Sequence, residues 1–333
     1  MDDAQPHRVE DQLKPVHSNL SYDTILDYEN ATCAAGWPDV SGPVGEDQPK
    51  LIRLPDGRRL GWHEYGDALG APCVFLPGAG ASGLAGAALH DPAASRGIRL
   101  ISLDRPGLGH SDPVPPRRLA DWAKDVEELM DQLGLGLVGL LAHSAGGPYA
   151  LAVAHLVPGR VSCVVIGAGS PPYSESWTRS TAVASRMSRL YGQLAVNAPR
   201  LCGALYHLTT PRSTRAVERI VRLASRGSSE DAQFARDHPE ATRASLIALW
   251  DGSRQGPSGP IDDIAAVARP WGFGLHEVTT PVEWWHGLQD KRVSPQAGRE
   301  VTTRLPCATA HFVDGGHYAL FARAEEALAP LGR

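Results

Sequence analysis

Residues 140–147, Leu-Leu-Ala-His-Ser-Ala-Gly-Gly, constrain the fold more than any other part of the chain. An apolar run leads directly into Ala-His-Ser-Ala-Gly, and residues 148–154 then have the composition of a helix. A strand that turns at once into a helix, with serine at the apex, is typical of a nucleophile elbow. Such a turn requires small residues two positions before and two after the serine, and Ala142 and Gly146 meet that requirement. The stretch therefore predicts that Ser144 is a nucleophile at a helix N-terminus, rather than only a helix cap.

The segments around this turn alternate between strand and helix patterns. Strands are predicted at residues 73–76, 98–103, 137–141 and 161–166, and helices at 83–95, 119–133 and 145–157. A hairpin with Asp56 and Gly57 at its turn precedes them. Repeated strand–helix units imply an α/β fold, in which helices cover both faces of a mostly parallel sheet.

The alternation stops at residues 169–172, Gly-Ser-Pro-Pro. From there to about residue 270 the sequence predicts helices and no convincing strand, and two strand patterns then follow. We interpret residues 171–270 as a helical cap inserted into an α/β core, which is formed by residues 51–170 and 271–333.

Residues 1–50 have a different character from the rest. They are polar and contain several prolines, so we predict an N-terminal extension that is partly ordered at best. The sequence leaves open whether this extension folds over the core or mediates a homodimer.

A serine nucleophile needs a base and a group that orients the base, and the two late strands each end in a candidate. Asp290 follows the strand at 282–286, and His317 follows the strand at 308–313. Because the carboxyl ends of parallel strands lie at one edge of a sheet, both side chains should converge on Ser144. Asp314 is the alternative acid, but it lies only three residues before His317, so we favour Asp290.

From about residue 51 onwards the chain resembles the α/β-hydrolase superfamily. The resemblance rests on the elbow, on residues 76–80 (Leu-Pro-Gly-Ala-Gly) and 104–111 (Asp-Arg-Pro-Gly-Leu-Gly-His-Ser), and on the ends of the two late strands. It implies an α/β-hydrolase fold with a helical cap and the chain order Ser, Asp, His for the triad. Two residues depart from the usual pattern: Ala142 replaces glycine, and Pro77 replaces the histidine that commonly precedes the loop glycine.

The resemblance also implies roles for individual residues. Ser144 would attack the substrate carbonyl, His317 would transfer the proton, and Asp290 would fix the tautomer of His317. The backbone amides of Ala79 and Ala145 would form the oxyanion hole. Substrate contacts are expected from residues beside the nucleophile and from aromatic residues of the cap: Gly78, His143, Tyr173, Trp177 and Trp250.

Together these motifs predict a serine hydrolase that needs no cofactor and cleaves an ester or lactone of a small molecule through an acyl-enzyme. Serine at the elbow argues against a dehalogenase or an epoxide hydrolase, for which the resemblance implies aspartate. Hydrolysis of amide or carbon–carbon bonds stays open. A lyase or cyclase that uses His317 without an acyl-enzyme, and a ligand receptor with a hydrolase fold, are the alternatives from other functional classes.

A dinucleotide site is a further alternative for the first loop. Residues 78–83 fit Gly-x-Gly-x-x-Gly between a strand and a helix, and Asp104 follows about twenty residues later. Both kinds of site place backbone amides around a negative group. The dinucleotide interpretation leaves Ser144, Asp290 and His317 unused, so we favour the oxyanion loop.

Composition and motifs limit the kinds of partner that we expect for this protein. The formal net charge is -5 and no basic run stands out, which argues against a nucleic-acid partner. The first residues do not resemble a signal peptide, and no apolar run in the sequence approaches the length of a membrane span. Five scattered cysteines favour reduced thiols in the cytoplasm. We find no metal-binding motif, so we expect no metal and only a small molecule as partner.

Overall fold

An eight-stranded sheet forms the centre of the computed structural model, which describes residues 48–114, 118–180 and 186–332. Its strands are β1 (Lys50–Arg53), β2 (Arg59–Gly66), β3 (Ala71–Leu76), β4 (Ile98–Leu103), β5 (Val138–His143), β6 (Val161–Gly167), β7 (Val282–Gly287) and β8 (Ala308–Val313). Their order across the sheet is β1-β2-β4-β3-β5-β6-β7-β8. Strands β1 and β2 are antiparallel to their neighbours, and all the other pairs are parallel. This topology confirms the predicted mostly parallel α/β-hydrolase sheet.

The described part of the chain contains thirteen α-helices and four short 3-10 helices. The α-helices are α1 (His90–Ser95), α2 (Leu119–Gln132), α3 (Gly146–Leu156), α4 (Trp177–Ser180), α5 (Arg186–Asn197), α6 (Pro199–Thr209), α7 (Thr214–Ala224), α8 (Glu230–Asp237), α9 (Pro239–Gly252), α10 (Ser258–Ala268), α11 (Pro295–Thr302), α12 (Ala319–Ala322) and α13 (Ala324–Ala327). The 3-10 helices are Gly83–Leu89, Pro158–Arg160, Leu275–Glu277 and Ala329–Leu331. Among the described residues, no helix combines the length and the apolar character that crossing a membrane would demand.

Helices cover both faces of the sheet, and this explains the apolar character of its central strand. Every residue of β5 is buried. Its alternate side chains enter different cores: Leu140 packs in the cluster that contains Trp122 of α2, and Leu141 in the cluster that contains Leu89. A strand buried on both faces needs apolar residues at every position, because successive side chains point to opposite faces of the sheet.

The segment after β3 differs from the single helix predicted over residues 83–95. It is a 3-10 helix, Gly83–Leu89, followed by α1. Two glycines bring this segment directly onto the sheet, since a Cβ added at Gly83 would lie 2.4 Å from the carbonyl oxygen of Ser102. One added at Gly86 would lie 2.6 Å from the ring of Tyr65. The segment Gly83–Leu89 therefore packs closely on β2 and β4, and it does so as a 3-10 helix instead of the predicted α-helix.

Helices α4 to α10 follow β6 and precede β7, and we call residues 177–268 the cap. The cap packs on the core mainly through α9 and α10. The amide of Ser82 donates to the carbonyl oxygen of Ala248 at 3.0 Å, and an added Cβ at Gly252 would lie 2.0 Å from the carbonyl oxygen of Gly80. The C-terminal half of α9 thus rests directly on the loop that follows β3. The N-terminal extension predicted at 1–50 lies outside the described residues except for its last three.

Candidate active site

Ser144 occupies a sharp turn between β5 and α3. Its φ is +54°, in the left-handed region that few residues other than glycine adopt. The backbone is held on both sides: the Ser144 amide donates to the carbonyl oxygen of Gly167 at 2.8 Å, and its carbonyl oxygen accepts from the amide of Ser170 at 3.0 Å. Strained backbone of this kind is concentrated at functional sites. The turn presents the Ser144 side chain to a cavity at the carboxyl edge of the sheet.

Gly146 and Ala142, which lie two positions from Ser144, differ in the space available for a side chain. A Cβ at Gly146 would lie 2.0 Å from the carbonyl oxygen of Leu76, so only glycine fits at this position. Ala142 is fully buried at the end of β5, and the fold accommodates its methyl group. The departure from glycine at residue 142 therefore leaves the elbow intact.

Asp290 and His317 form a buried pair. His317 Nδ1 lies 2.8 Å from Asp290 Oδ2, and the two residues are 4% and 6% exposed, respectively. Asp290 follows β7, and His317 follows β8 and lines the same cavity as Ser144. The structure thus joins two of the three residues named from the sequence, Asp290 and His317, and places Ser144 and His317 on the same cavity. Asp314 is exposed, and the acid that contacts the imidazole is Asp290.

Asp290 is held as a carboxylate by a surrounding set of donors. Its Oδ1 accepts from the amides of Arg292 at 2.7 Å and Val293 at 3.0 Å. Burial acts to raise the pKa of Asp290, but hydrogen bonds from His286 and His317 outweigh it and keep the pKa well below its usual range. An ionised Asp290 can stabilise the imidazolium that forms when His317 takes up a proton.

His286 lies against Asp290, and the sequence analysis gave this residue no role. The indole N–H of Trp284 donates to His286 Nδ1 at 3.2 Å, so the proton of the neutral ring resides on Nε2. His286 Nε2 donates to the carbonyl oxygen of Val293 at 3.0 Å and lies 3.3 Å from Asp290 Oδ2. Trp284 and His286 are two residues apart on β7, so their side chains lie on the same face of the sheet. This spacing is the sequence signal that could have revealed the pair. Trp284 fixes the ring of His286, and His286 in turn orients the carboxylate of Asp290.

His143 contributes to the wall beside the nucleophile and does not act as a base. Its Nε2 lies 3.1 Å from the carbonyl oxygen of His317, which requires that Nε2 donates. The ring packs against Tyr318 and Phe321, with centroid distances of 5.5 and 4.9 Å. Burial, with a further contribution from His317, lowers the pKa of His143 to about 3. The ring is therefore neutral at physiological pH and fixes the backbone of His317.

Two backbone amides beside Ser144 are free to bind an oxyanion. Ala145 follows the nucleophile, and Ala79 lies in the loop after β3; both line the cavity. Within the described part of the chain, neither amide N–H has a protein acceptor. Ala145 also stands at the N-terminus of α3, where the helix dipole favours negative charge. The arrangement offers two donors for charge that develops on a substrate oxygen.

The cavity has a volume of about 540 Å³ and lies between the core and the cap. It is large enough for a small-molecule ligand. Its wall near the nucleophile is formed by Gly78, Ala79, His143, Ala145, Ser170 and Tyr173. The cap contributes chiefly apolar and aromatic side chains: Tyr191, Tyr206, Ile220, Leu246, Leu249, Ile264 and Val267.

Two predicted substrate contacts do not line this cavity. The guanidinium carbon of Arg304 lies 4.2 Å from the centroid of the Trp177 ring. Trp177 also packs against the hydrophobic core. Trp250 packs in the second core cluster. On α9 the cavity is reached by Leu246 and Leu249, and Trp250 is rotated away because each helical residue turns by about 100°. The expectation for Trp177 and Trp250 is therefore corrected in favour of Tyr191 and Tyr206.

Among the described residues, His63, Asp104 and His110 place possible metal-ligand atoms within 4.8 Å of one another. However, both oxygens of Asp104 already accept backbone amides, Oδ1 from Gly83 at 2.7 Å and Oδ2 from His110 at 2.8 Å. The carboxylate thus shapes the turn after β4. The same contacts argue against the dinucleotide interpretation, because Asp104 is fully buried and turned away from any ligand in the cavity.

Comparisons with known proteins agree with the fold described above. A family model described as alpha/beta hydrolase fold matches residues 72–324. The chain is 26% identical over 239 residues to a poly(3-hydroxyalkanoate) depolymerase from Ectopseudomonas oleovorans, across 70% of this chain and 73% of the relative. It is 27% identical over 289 residues to a 2-hydroxy-6-oxononadienedioate/2-hydroxy-6-oxononatrienedioate hydrolase from Dechloromonas aromatica, across 83% and 91%. An esterase from Exiguobacterium antarcticum has a similar fold, with a TM-score of 0.61, 18% identity, and coverage of 84% and 96%.

Proposed function

The chain belongs to the α/β-hydrolase family, and we propose that it is a serine hydrolase that cleaves ester or lactone bonds of small, largely apolar molecules through an acyl-enzyme on Ser144. The observation that carries this proposal is the buried Asp290–His317 hydrogen bond of 2.8 Å at a cavity that also contains Ser144. A relative named as a depolymerase of a polyester supports an ester-type bond as the target. The proposal needs no cofactor.

Acylation would begin with transfer of the Ser144 proton to His317. His317 donates Nδ1–H to Asp290, which leaves Nε2 as the nitrogen that accepts the proton of Ser144. Ser144 Oγ then attacks the substrate carbonyl carbon. The amides of Ala79 and Ala145 stabilise the oxyanion, and each such donor typically contributes about 100- to 1,000-fold in rate. His317 returns the proton to the departing alcohol oxygen.

Deacylation repeats these steps with water as the nucleophile. His317 takes a proton from water, hydroxide adds to the acyl carbon, and the same two amides stabilise the second tetrahedral intermediate. The proton then passes to Ser144 Oγ as the acid product leaves. Throughout, Asp290 stays ionised and stabilises the charged His317.

The cavity supports an apolar acyl or alcohol group. The cap side chains that line it are mainly aliphatic or aromatic, with Ile220, Leu246 and Leu249 on two cap helices. Burial of apolar surface would then supply the binding free energy. Tyr191 and Tyr206 add aromatic rings to this wall, and the Tyr206 hydroxyl donates to the carbonyl oxygen of Gly80 at 3.5 Å.

Reaction with a fluorophosphonate tests the proposal. We expect intact-mass analysis to show one adduct on the wild-type protein and none on Ser144→Ala. Peptide mapping should place the adduct on Ser144 and not on Ser170, Ser188 or Ser245, which also line the cavity. Absence of an adduct on folded wild-type protein would contradict an activated serine. Activity retained by Ser144→Ala would favour the lyase or cyclase, and a ligand that binds without turnover would favour the receptor.

A further inference from the structure

We infer that two carboxylates of the cap, Asp263 on α10 and Asp231 on α8, are positioning residues that hold the two catalytic loops of the core. Asp263 holds the oxyanion loop, residues 77–80, and Asp231 holds the loop that carries His317. The cap thus assembles the active site as well as enclosing the substrate. This inference rests on the proposed function.

Asp263 is joined to the oxyanion loop directly and through Arg105. Its Oδ2 accepts from the amide of Gly80 at 2.9 Å. Arg105 donates to both of its oxygens, through Nε at 2.7 Å and through Nη2 at 2.9 Å. The same guanidinium donates to the carbonyl oxygens of Pro77 at 2.6 Å and Gly78 at 2.7 Å. Arg105 and Asp263 are both buried, so solvent does not compete for these bonds.

The bond to the Gly78 carbonyl fixes the direction of the catalytic amide. In a trans peptide the C=O of one residue and the N–H of the next point in opposite directions, and the described residues contain no cis peptide. With the Gly78 carbonyl held by Arg105, the Ala79 N–H points away from Arg105. Ala79 lines the cavity and its N–H has no protein acceptor in the described residues. The Arg105–Asp263 pair therefore sets the orientation of one oxyanion donor.

Asp231 acts in the same way on the other side of the cavity. Its Oδ1 accepts from the backbone amide of His317 at 2.7 Å. A Cβ at Gly316 would lie 2.1 Å from the same oxygen, so glycine at 316 is what allows α8 to reach the loop. The carbonyl oxygen of His317 accepts from His143 and its ring contacts Asp290. His317 is thus fixed at its amide, its carbonyl and its ring, and only the first contact comes from the cap.

The wall of the substrate cavity and the contact to the oxyanion loop therefore come from the same cap helix, α10. Ile264, Val267 and Ala268 of α10 line the cavity, and Asp263 precedes them on that helix. A shift of α10 would change the substrate wall and the Ala79 amide together. The structure couples the position of the cap to the strength of the oxyanion hole.

Asp263→Asn tests the oxyanion arm, with Asp262→Asn as its control. Asp262 is the adjacent, exposed carboxylate of α10. For Asp263→Asn we expect kcat for a p-nitrophenyl ester to fall on the order of 100-fold, with KM little changed. Affinity for a trifluoromethyl ketone, which Ser144 Oγ attacks to form a hemiketal whose oxyanion occupies the hole, should fall in proportion. Asp262→Asn should match the wild type in both measurements.

Asp231→Ala tests the histidine arm, with Asp231→Asn as the conservative variant and Glu230→Ala as the control. The alanine variant lacks the acceptor for the His317 amide, so kcat should fall and the low-field NMR resonance of the His317 Nδ1 proton should broaden or shift. Asn keeps an oxygen at this position and should recover most of kcat. Glu230 is exposed on the same helix, and its variant should behave as the wild type.

A purely structural role would give a different pattern. The variants would then show lower thermal stability but an unchanged kcat per competent site, as counted by the burst of p-nitrophenol, and this result would overturn the inference. Hydrogen exchange distinguishes a failure of this inference from a failure of the proposed function. Even if no ester is cleaved, exchange in the peptide containing residues 77–82 should accelerate in Asp263→Asn only. Equal exchange in Asp263→Asn and Asp262→Asn would overturn the positioning role whatever the activity.

Discussion

At the scale of single residues, the partners of each ring distinguish the proposed base from its neighbouring histidine. His143 and His317 are neighbours, with ring centroids 4.8 Å apart. The ring of His317 contacts the carboxylate of Asp290, whereas the ring of His143 contacts a carbonyl oxygen and aromatic rings. A carboxylate partner favours the charged form of an imidazole, and an apolar site disfavours it. These contacts favour His317 as the proposed base and leave His143 as a neutral wall residue.

This difference predicts the acid stability of the protein. The pKa of His143 is about 3 in the folded state and about 6.5 in an unfolded chain. Below pH 6.5 the unfolded state binds a proton that the folded state excludes, so the stability present above pH 6.5 is lost as the pH falls. His143 should therefore lower the free energy of unfolding by about 2 kcal/mol between pH 6.5 and pH 5. Urea unfolding at both pH values measures this loss.

The variant His143→Gln, whose amide nitrogen can replace Nε2 as the donor to the His317 carbonyl, should show a smaller loss over the same pH range. His276→Gln removes an exposed histidine and should retain the wild-type loss. Identical pH dependence in His143→Gln and the wild type would contradict a buried, neutral His143.

At the scale of elements, the elbow depends on how closely α3 approaches β3. The first residue of α3 is Gly146, which stands against the carbonyl oxygen of Leu76 at the end of β3. This contact is between two backbones, so no side-chain rotation can relieve a larger residue. The same approach places the Ala145 amide beside the Ala79 loop at the cavity. The packing of helix on strand and the geometry of the oxyanion hole are thus one feature.

Gly146→Ala should therefore damage both stability and reactivity. The added methyl group would have to displace α3 from β3, at a cost of about 3 kcal/mol. Thermal unfolding should show a lower Tm, and labelling by a fluorophosphonate should slow in the protein that remains folded. Gly159→Ala is the matched control, because a Cβ at Gly159 meets nothing within 4 Å. Equal labelling rates in the two variants would show that the elbow tolerates the displacement.

The elements that the sequence predicts well are those with local signals. The β5–α3 turn, the amphipathic α2 and the strand ends that carry Asp290 and His317 follow from short patterns in the chain. Asp263 gave no such signal, since its partner Arg105 is 158 residues away and the contact exists only after the cap folds onto the core. Trp250 shows a second limit: which side of α9 faces the cavity depends on packing, and a one-residue difference separates Leu249 from Trp250.

At the scale of the whole molecule, the proposed catalytic side chains come from the core and the apolar wall of the cavity comes from the cap. The core supplies Ser144, His317 and Asp290 from the ends of three parallel strands. The cap supplies the apolar wall opposite them. Because the cavity lies between the two parts, its size and polarity decide which acyl groups reach Ser144.

The apolar wall predicts a dependence on acyl-chain length. Each CH₂ that enters the cavity should contribute about 0.8 kcal/mol, or roughly fourfold in kcat/KM, until the cavity is filled. A series of p-nitrophenyl esters from acetate to octanoate measures this dependence. Leu246→Trp narrows the cavity and should reduce activity on the long esters more than on acetate. Leu190→Trp, at an exposed position of the cap, should leave the profile unchanged, and a flat wild-type profile would contradict an apolar acyl site.

The most direct test of the account is to observe the acyl-enzyme. Rapid mixing with excess p-nitrophenyl butyrate, followed by acid quench and intact-mass analysis, reports product release and covalent intermediate in one experiment. We predict a p-nitrophenol burst of up to one equivalent and a matching butyryl adduct on Ser144, with neither in Ser144→Ala. Turnover by Ser144→Ala, or wild-type turnover with a burst but no adduct, would contradict nucleophilic catalysis by Ser144.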